Sequence, residues 1–424
     1  MSSRFPRSAT RRGPQQILQI LDTLLTKARG ALLTICYVPC ASALSRLFVA
    51  LPLVLLIPNA ANAQSFTTLA NFTGPNGSNP IFAPLIKGPG GNLYGTTQLG
   101  GAHRQGTVFE LTSTGTLVTL YSFCSQSKCA DGSAPYSGLL LANDGNFYGP
   151  TFSGGANGDG TIFKITPSGT LTTLHSFNSH DGANPQAPLI QTTDGNFYGT
   201  TESGGVNILG TVFKITPQGV VTTLHSFNST DGSSPQAPLI LATDGNFYGT
   251  TYNGGTDGYG TVFKITPAGV LTTLHVFNED DGRGVVAGLV QASDGNFYGT
   301  AGQGGVYSYG TVFQITPQGL LTTLHNFDAN DGATPTALVL GPGGNLYGTT
   351  VSGGANIDGV IYQISLQGDF TLLYSFDGTH GADSFAALLP LAGGVFYGTT
   401  NYGGSHNEGT VFRFKIAPAP GLSQ

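Results

Sequence analysis

Four histidines, His175, His225, His275 and His325, recur every fifty residues, and four aspartates, Asp181, Asp231, Asp281 and Asp331, recur at the same interval. Histidine and carboxylate together serve metal binding and acid–base catalysis. Either chemistry needs side chains that converge on one point. Residues repeated at equal spacing in the same local context occupy equivalent places in successive copies of a unit, spread around a circumference. The histidines are therefore expected to make structural hydrogen bonds. The aspartates, with Asp131 as a fifth, each precede a glycine. A calcium site needs about six to eight oxygens, and the EF-hand spacing is absent. An Asp-Gly turn whose carboxylate binds local backbone is the expectation, and neither metal nor cofactor is assigned.

A second set of residues suits binding. The loops "YNGGTDGY", "GQGGVYSY" and "NYGGSHNE" carry Tyr252, Asp257, Tyr259, Tyr307, Tyr309 and Tyr402. Tyrosine is a rigid, amphipathic contact residue, suited to stacking on sugars or packing on a protein. These six are the candidate ligand-binding residues, with His103, Arg104, Asp358, His406 and Glu408 as further polar contacts. The competing expectation is that the rings pack on neighbouring loops and show only an edge. No catalytic residue is assigned, because G-x-S-x-G, P-loop and H-E-x-x-H motifs are all missing.

These residues hang on a repeat. Tyr94, Tyr148, Tyr198, Tyr248, Tyr298, Tyr347 and Tyr397, each followed by glycine, mark seven copies at intervals of 54, 50, 50, 50, 49 and 50 residues. In the third copy four strands are expected, "APLIQTT", "NFYGTT", "GTVFKIT" and "VVTTLHSF". The "DG" between the first two signals a hairpin with positive φ at both turn residues, and "PQG" between the last two signals a second tight turn. The glycine inside "NFYGTT" implies a bend or the close approach of a neighbour. Apolar groups on both strand faces require cover on both faces. Four-stranded antiparallel units repeated in this way describe an all-β, seven-bladed β-propeller, with an open β-solenoid as the alternative. A lone fourth strand, Phe66 to Phe72, precedes the first copy, and the seventh copy stops after its third strand. The N-terminal strand is thus expected to complete the last blade and close the ring.

Innermost strands begin near Phe82, Tyr136, Gln186, Gln236, Val286, Thr336 and Phe385. That row lacks the carboxylates or histidines that channel-mouth catalysis needs, although Asp383 lies close by.

The first 63 residues are a different polymer. They hold seven of the sixteen basic residues, then the apolar run "LFVALPLVLLIP" and a small-residue exit, "ANA". This order describes a secretory signal peptide, with an uncleaved N-terminal anchor as the alternative. The expected organisation is a leader at 1–63, the propeller at 64–416 and a disordered tail at 417–424. Residues 64–424 keep nine basic and twenty-one acidic side chains, a net charge of −12, which disfavours nucleic acid. Of the four cysteines, Cys124 and Cys129 lie beyond the leader within "FCSQSKCADG", and a local disulfide is expected for an exported protein.

The unit "LTTLHSFN…DG…P…PLI…DGNFYGTT…GG…GTVFKITP" resembles the GloVer tandem repeat of exported bacterial proteins, over roughly residues 66 to 416. The resemblance implies a secreted or surface-attached protein and brings no catalytic residues. Members are often tethered by C-terminal sorting signals, but "KIAPAPGLSQ" has neither an apolar helix nor a basic tail. The expected function is non-catalytic binding of an extracellular glycan or surface protein through the long-loop face. The expected chain is a monomer with no membrane span in its mature part. A carbohydrate-active lyase or hydrolase is the alternative from another class, and a purely architectural envelope repeat is a third.

Overall fold

The computed structural model describes residues 64–416. The leader expected at 1–63 and the tail expected at 417–424 lie outside the described residues. Within them, seven antiparallel sheets form the blades of a propeller. In the third blade, strands Ile190–Gln191, Phe197–Thr201, Thr211–Ile215 and Val221–Ser226 pair in that order. The innermost strand is far shorter than "APLIQTT" suggested, since only Ile190 and Gln191 pair with the next strand. Pro188 has no N–H to give to a ladder, and this stretch lines the axial channel instead. The sixth blade carries an additional short strand, Ala333–Pro335, paired with Leu346–Ser352. In the seventh sheet, Ser65–Asn71 runs antiparallel to Thr410–Lys415, with Ser65 opposite Lys415 and Asn71 opposite Thr410.

Each residue of "DGNFYGTT" has its own task. Contrary to the expectation for "DG", only the glycine takes positive φ, as at Gly195 with +81°. The turn is closed by Gly195 N–H donating to Thr192 O, and Thr192 N–H donates across to Asn196 O. This longer loop spares the aspartate a left-handed backbone and leaves its side chain to organise the hairpin. Asp144 Oδ1 accepts from Asn146 N–H at 3.1 Å, while Oδ2 accepts from Asn146 Nδ2 at 2.9 Å and from the Tyr148 hydroxyl at 2.9 Å. Asp244 does the same with Asn246 and Tyr248. Lys164 and Lys264 add ion pairs to these carboxylates at 3.0 and 2.8 Å.

Burial alone would raise the Asp144 carboxyl, but donors from Asn146, Lys164 and Tyr148 outweigh it and hold the group far below the ordinary carboxylate range. At Asp244, Lys264, Asn246 and Tyr248 overcome burial in the same way. A depressed folded-state pKa stabilises fully above the unfolded value, about 3.9, and that stability is lost as pH falls through the folded value. The melting temperature is therefore expected to fall below about pH 4. The double variant Asp144→Asn, Asp244→Asn should melt lower at neutral pH and show a flatter acid limb in a pH series of thermal scans.

The phenylalanine and tyrosine of the motif face opposite ways, and this is what joins blades. Tyr148 stacks on Phe197 of the next blade at 4.3 Å, and Tyr248 on Phe297 at 4.1 Å. A second, edge-to-face pair recurs at every boundary. It runs Phe123–Phe163, Phe177–Phe213, Phe227–Phe263, Phe277–Phe313, Phe327–Tyr362 and Phe376–Phe412, then Phe72–Phe109, with centroids 5.1–5.5 Å apart. Such pairs add about 0.5–1.5 kcal/mol beyond the area they bury. The strand glycine answers to a close approach rather than a bend. A Cβ on Gly249 would lie 2.6 Å from Phe263 Cζ. Nearer the axis, Thr96, Thr200, Thr250, Thr300, Thr349 and Thr399 each donate a hydroxyl to a carbonyl of the following blade.

Candidate functional site

In each blade the loop after the second strand and the loop into the next blade share one face of the ring. The "DG" and "PQG" turns share the other. The histidines and aspartates of the repeat meet at the root of the long-loop face, one pair in each of the second to fifth blades. His175, His225, His275 and His325 Nε2 lie 2.9, 3.0, 2.9 and 2.8 Å from Oδ2 of Asp181, Asp231, Asp281 and Asp331. The other carboxylate oxygen accepts backbone N–H from Asn178, Asn228, Asn278 and Asp328. Each imidazole also meets edge-on the phenylalanine two residues later, at 4.8–5.1 Å. The pair is a latch between the outer strand and the loop that leaves it. In the first blade Tyr121 replaces histidine, and its hydroxyl donates to Asp131 at 2.8 Å. Among the described residues no group of three or more His, Cys, Asp or Glu side chains is placed to hold a metal.

Cys124 and Cys129 are joined by a disulfide. It closes the one blade-to-blade loop that is longer than its counterparts, between the first and second blades.

The candidate tyrosines fall into three groups. Tyr252 and Tyr259 are half-buried and both turn toward the loop that enters the fifth blade. Tyr259 lies under the Arg283 guanidinium at 5.8 Å, and Tyr252 covers Gly284, where a Cβ would be 3.4 Å from the ring. Tyr307 and Tyr309, on the neighbouring fifth blade, are open to solvent at 56% and 44% exposure. Tyr402 is 43% exposed but belongs to the seventh blade, away from the other four. Asp257 sits on an exposed loop tip beside Tyr259. Sequence reasoning passed over the apolar loop tips Val206, Ile208, Val306 and Ile357, which are 69–85% exposed on this same face. Their signal was a large apolar residue inside a glycine-framed loop, where nothing in the repeat demands one.

The axial channel is narrow, with a cavity of about 60 Å³ lined by residues that include Phe82, Gln186, Gln236, Val286, Thr336 and Phe385. Phe82 and Phe385, from the adjacent first and seventh blades, meet edge-to-face on its wall at 5.1 Å. Beside it, burial and then the charge of Asp358 hold the Asp383 carboxyl above its ordinary range. Asp383 also takes a positive φ of 56°, with its N–H donating to Asp358 O at 3.2 Å. Where the ends of the ring meet, a surface cavity of about 650 Å³ lies between the loops of the seventh and first blades.

The fold is similar to the extracellular domain of a one component system from B. thetaiotaomicron, at 13% identity and a TM-score of 0.55, over 85% of this chain and 43% of that one. The extracellular domain of a hybrid two component system from the same organism is similar at 10% identity and a TM-score of 0.53, over 85% and 40%. The chain thus spans less than half the length of either, and at such identities the likeness speaks for the fold alone. A gluconolactonase from Xanthomonas campestris is similar at 10% identity over 83% of this chain and 89% of that one, with a TM-score of 0.44 that carries no argument. No curated protein matches the chain. The repeat itself matches the Gloeobacter/Verrucomicrobia repeat at residues 124–293 and again, in tandem, at residues 241–420. With well over half of its length matched, the chain belongs to the Gloeobacter/Verrucomicrobia repeat family.

Proposed function

We propose that this is an exported, non-catalytic propeller that binds a glycan or a protein surface through its long-loop face. The observation that carries the reading is the exposure of Tyr307 and Tyr309 together with Val306 on one loop. Exposed Ile357 on the adjacent sixth blade extends the same surface, while Val206 and Ile208 lie two blades away on the third. Monomeric proteins rarely leave such groups clustered in water unless something covers them, and rigid aromatic rings are favoured contact residues. The glycine-framed loops sit on a scaffold latched in the first five blades, which favours a preformed face. The disulfide supports export, since such bonds persist in oxidising compartments. The double variant Tyr307→Ala, Tyr309→Ala should weaken binding on a glycan or cell-surface array about tenfold or more, with an unchanged melting temperature. Undiminished binding would remove the tyrosines from the site.

A lyase or hydrolase is the second reading, and one observation favours it: a carboxyl with a raised pKa beside a second acid, Asp383 by Asp358. A general acid needs such a shift. If the chain degrades a polysaccharide, Asp383→Asn should lower the rate at least about a hundredfold. Equal degradation by parent and variant would eliminate this pair as the chemistry.

A further inference from the structure

The cavity at the junction of the seventh and first blades differs from its surroundings in a way that can be traced to single residues. Its lining includes Gly74, Pro75, Leu99, Gly100, Arg104 and Glu408. Glu408 is the last residue before the third-strand glycine in its loop, the place held by Asp159 in the second blade. There Asp159 is engaged, accepting a hydrogen bond from Ser179 Oγ of the incoming loop at 3.0 Å. At the junction the residue corresponding to Ser179 is Gly74. It has no side chain to offer, and Glu408 Oε1 lies 3.8 Å from where its Cβ would be. Among the described residues nothing hydrogen-bonds to the Glu408 carboxylate or the Arg104 guanidinium, and the two do not pair with each other.

Glycines with left-handed backbone shape the walls. Gly74 and Gly100 take φ of +83° and +76°, and a Cβ on Gly100 would lie 2.6 Å from the Gly77 carbonyl carbon. Arg104 is also left-handed, at +59°, with its N–H donating to Gly101 O at 3.3 Å. The result is an open space of about 650 Å³ with one unengaged cation, one unengaged anion and an apolar wall from Leu99 and Pro75. Ligand pockets of roughly 300–1,000 Å³ with a few fixed polar groups are the norm for small molecules.

We propose that this cavity binds a short acidic oligosaccharide, a uronate of about two or three rings that fills a volume of this class. Its carboxylate pairs with the Arg104 guanidinium, whose planar fork matches a carboxylate bidentately. Its hydroxyls donate to Glu408, and an apolar ring face lies on Leu99. The net charge of −12 on residues 64–424 repels a long polyanion, so the ligand is a short fragment or chain end rather than the interior of a polymer. The site is independent of the tyrosine surface, and either can fail without the other.

The test is calorimetric titration of the purified chain with a galacturonate trisaccharide, the neutral galactose trisaccharide, and glutamate, which offers a carboxylate and an ammonium but no rings. Saturable binding of the uronate is expected, with the other two at least about tenfold weaker. Arg104→Ala should weaken uronate binding about ten- to a hundredfold, and Glu408→Gln less. Gly74→Asn, a residue tolerant of left-handed backbone, should occlude the site with little change in melting temperature. Tyr307→Ala should leave uronate binding unchanged. The proposal is overturned by an absence of uronate binding, by equal binding of the neutral sugar or of glutamate, or by binding indifferent to Arg104→Ala.

Discussion

A chain lacking residues 66–72 is expected to melt at least about 10 °C lower than the parent, or to aggregate on purification. That segment is the outer strand of the seventh blade, paired along its length with Thr410–Lys415. It also supplies two rings. Phe66 stacks on Tyr374 at 4.3 Å and on Phe412 at 5.0 Å, while fully buried Phe72 meets Phe109 of the first blade at 5.1 Å. Each buried phenylalanine is worth about 3–5 kcal/mol against alanine. Fully buried Phe72 alone is thus a large share of the net stability of a folded domain, about 5–15 kcal/mol, and half-buried Phe66 adds to it. The deletion also bares an edge strand, which promotes association between chains. Phe72→Ala alone should cost about 3–5 kcal/mol while leaving the strand ladder in place. Urea and thermal melts of both variants measure this, and an unchanged melt for the deletion would remove the strand from the ring.

Gly249→Ala should destabilise the protein by about 1–3 kcal/mol, against the usual direction for this substitution. In a strand interior, glycine is ordinarily the weaker choice by about 0.5–1 kcal/mol because it loses more backbone entropy. Gly249 does not need a left-handed backbone, so strain in φ plays no part. What forbids a methyl is space. It would lie 2.6 Å from Phe263 Cζ and 2.9 Å from Leu239 Cδ2, both in a close-packed core. Combining Gly249→Ala with Phe263→Leu should return part of the loss, and this coupling distinguishes overpacking from a backbone effect. Additive losses would show that the ring is not the obstacle.

The period, the four strands per copy and the "PQG" turn were legible because they rest on local chemistry: alternating apolar residues, proline, and glycine where φ is positive; at "DG" only the glycine follows that rule. The histidines read as structural from spacing alone, and the His175–Asp181 bond at 2.9 Å is a contact of that kind. The reason for "FYG" was not legible. Tyr148 and Phe197 are 49 residues apart, and nothing in either blade announces that one rests on the other. The inner strand was overestimated because "APLI" has strand-like composition while its proline and its place on the axis deny it a ladder. Among the tyrosines, sequence shows that each lies in a loop but not which way it turns. Arg283 lies over Tyr259, whereas Tyr307 stands 56% exposed. The junction cavity depends on a missing side chain, Gly74, which becomes visible only when blades are laid over one another.

Ser65 and Lys415 stand opposite each other in the seventh sheet, at the ends of strands that both point toward the short "PQG" turns. These two positions therefore sit side by side at one spot on the perimeter, on the face opposite the glycine-framed loops. A tether joined at Ser65 or Lys415 would hold the ring like a plate on a stalk, with every glycine-framed loop turned away from it.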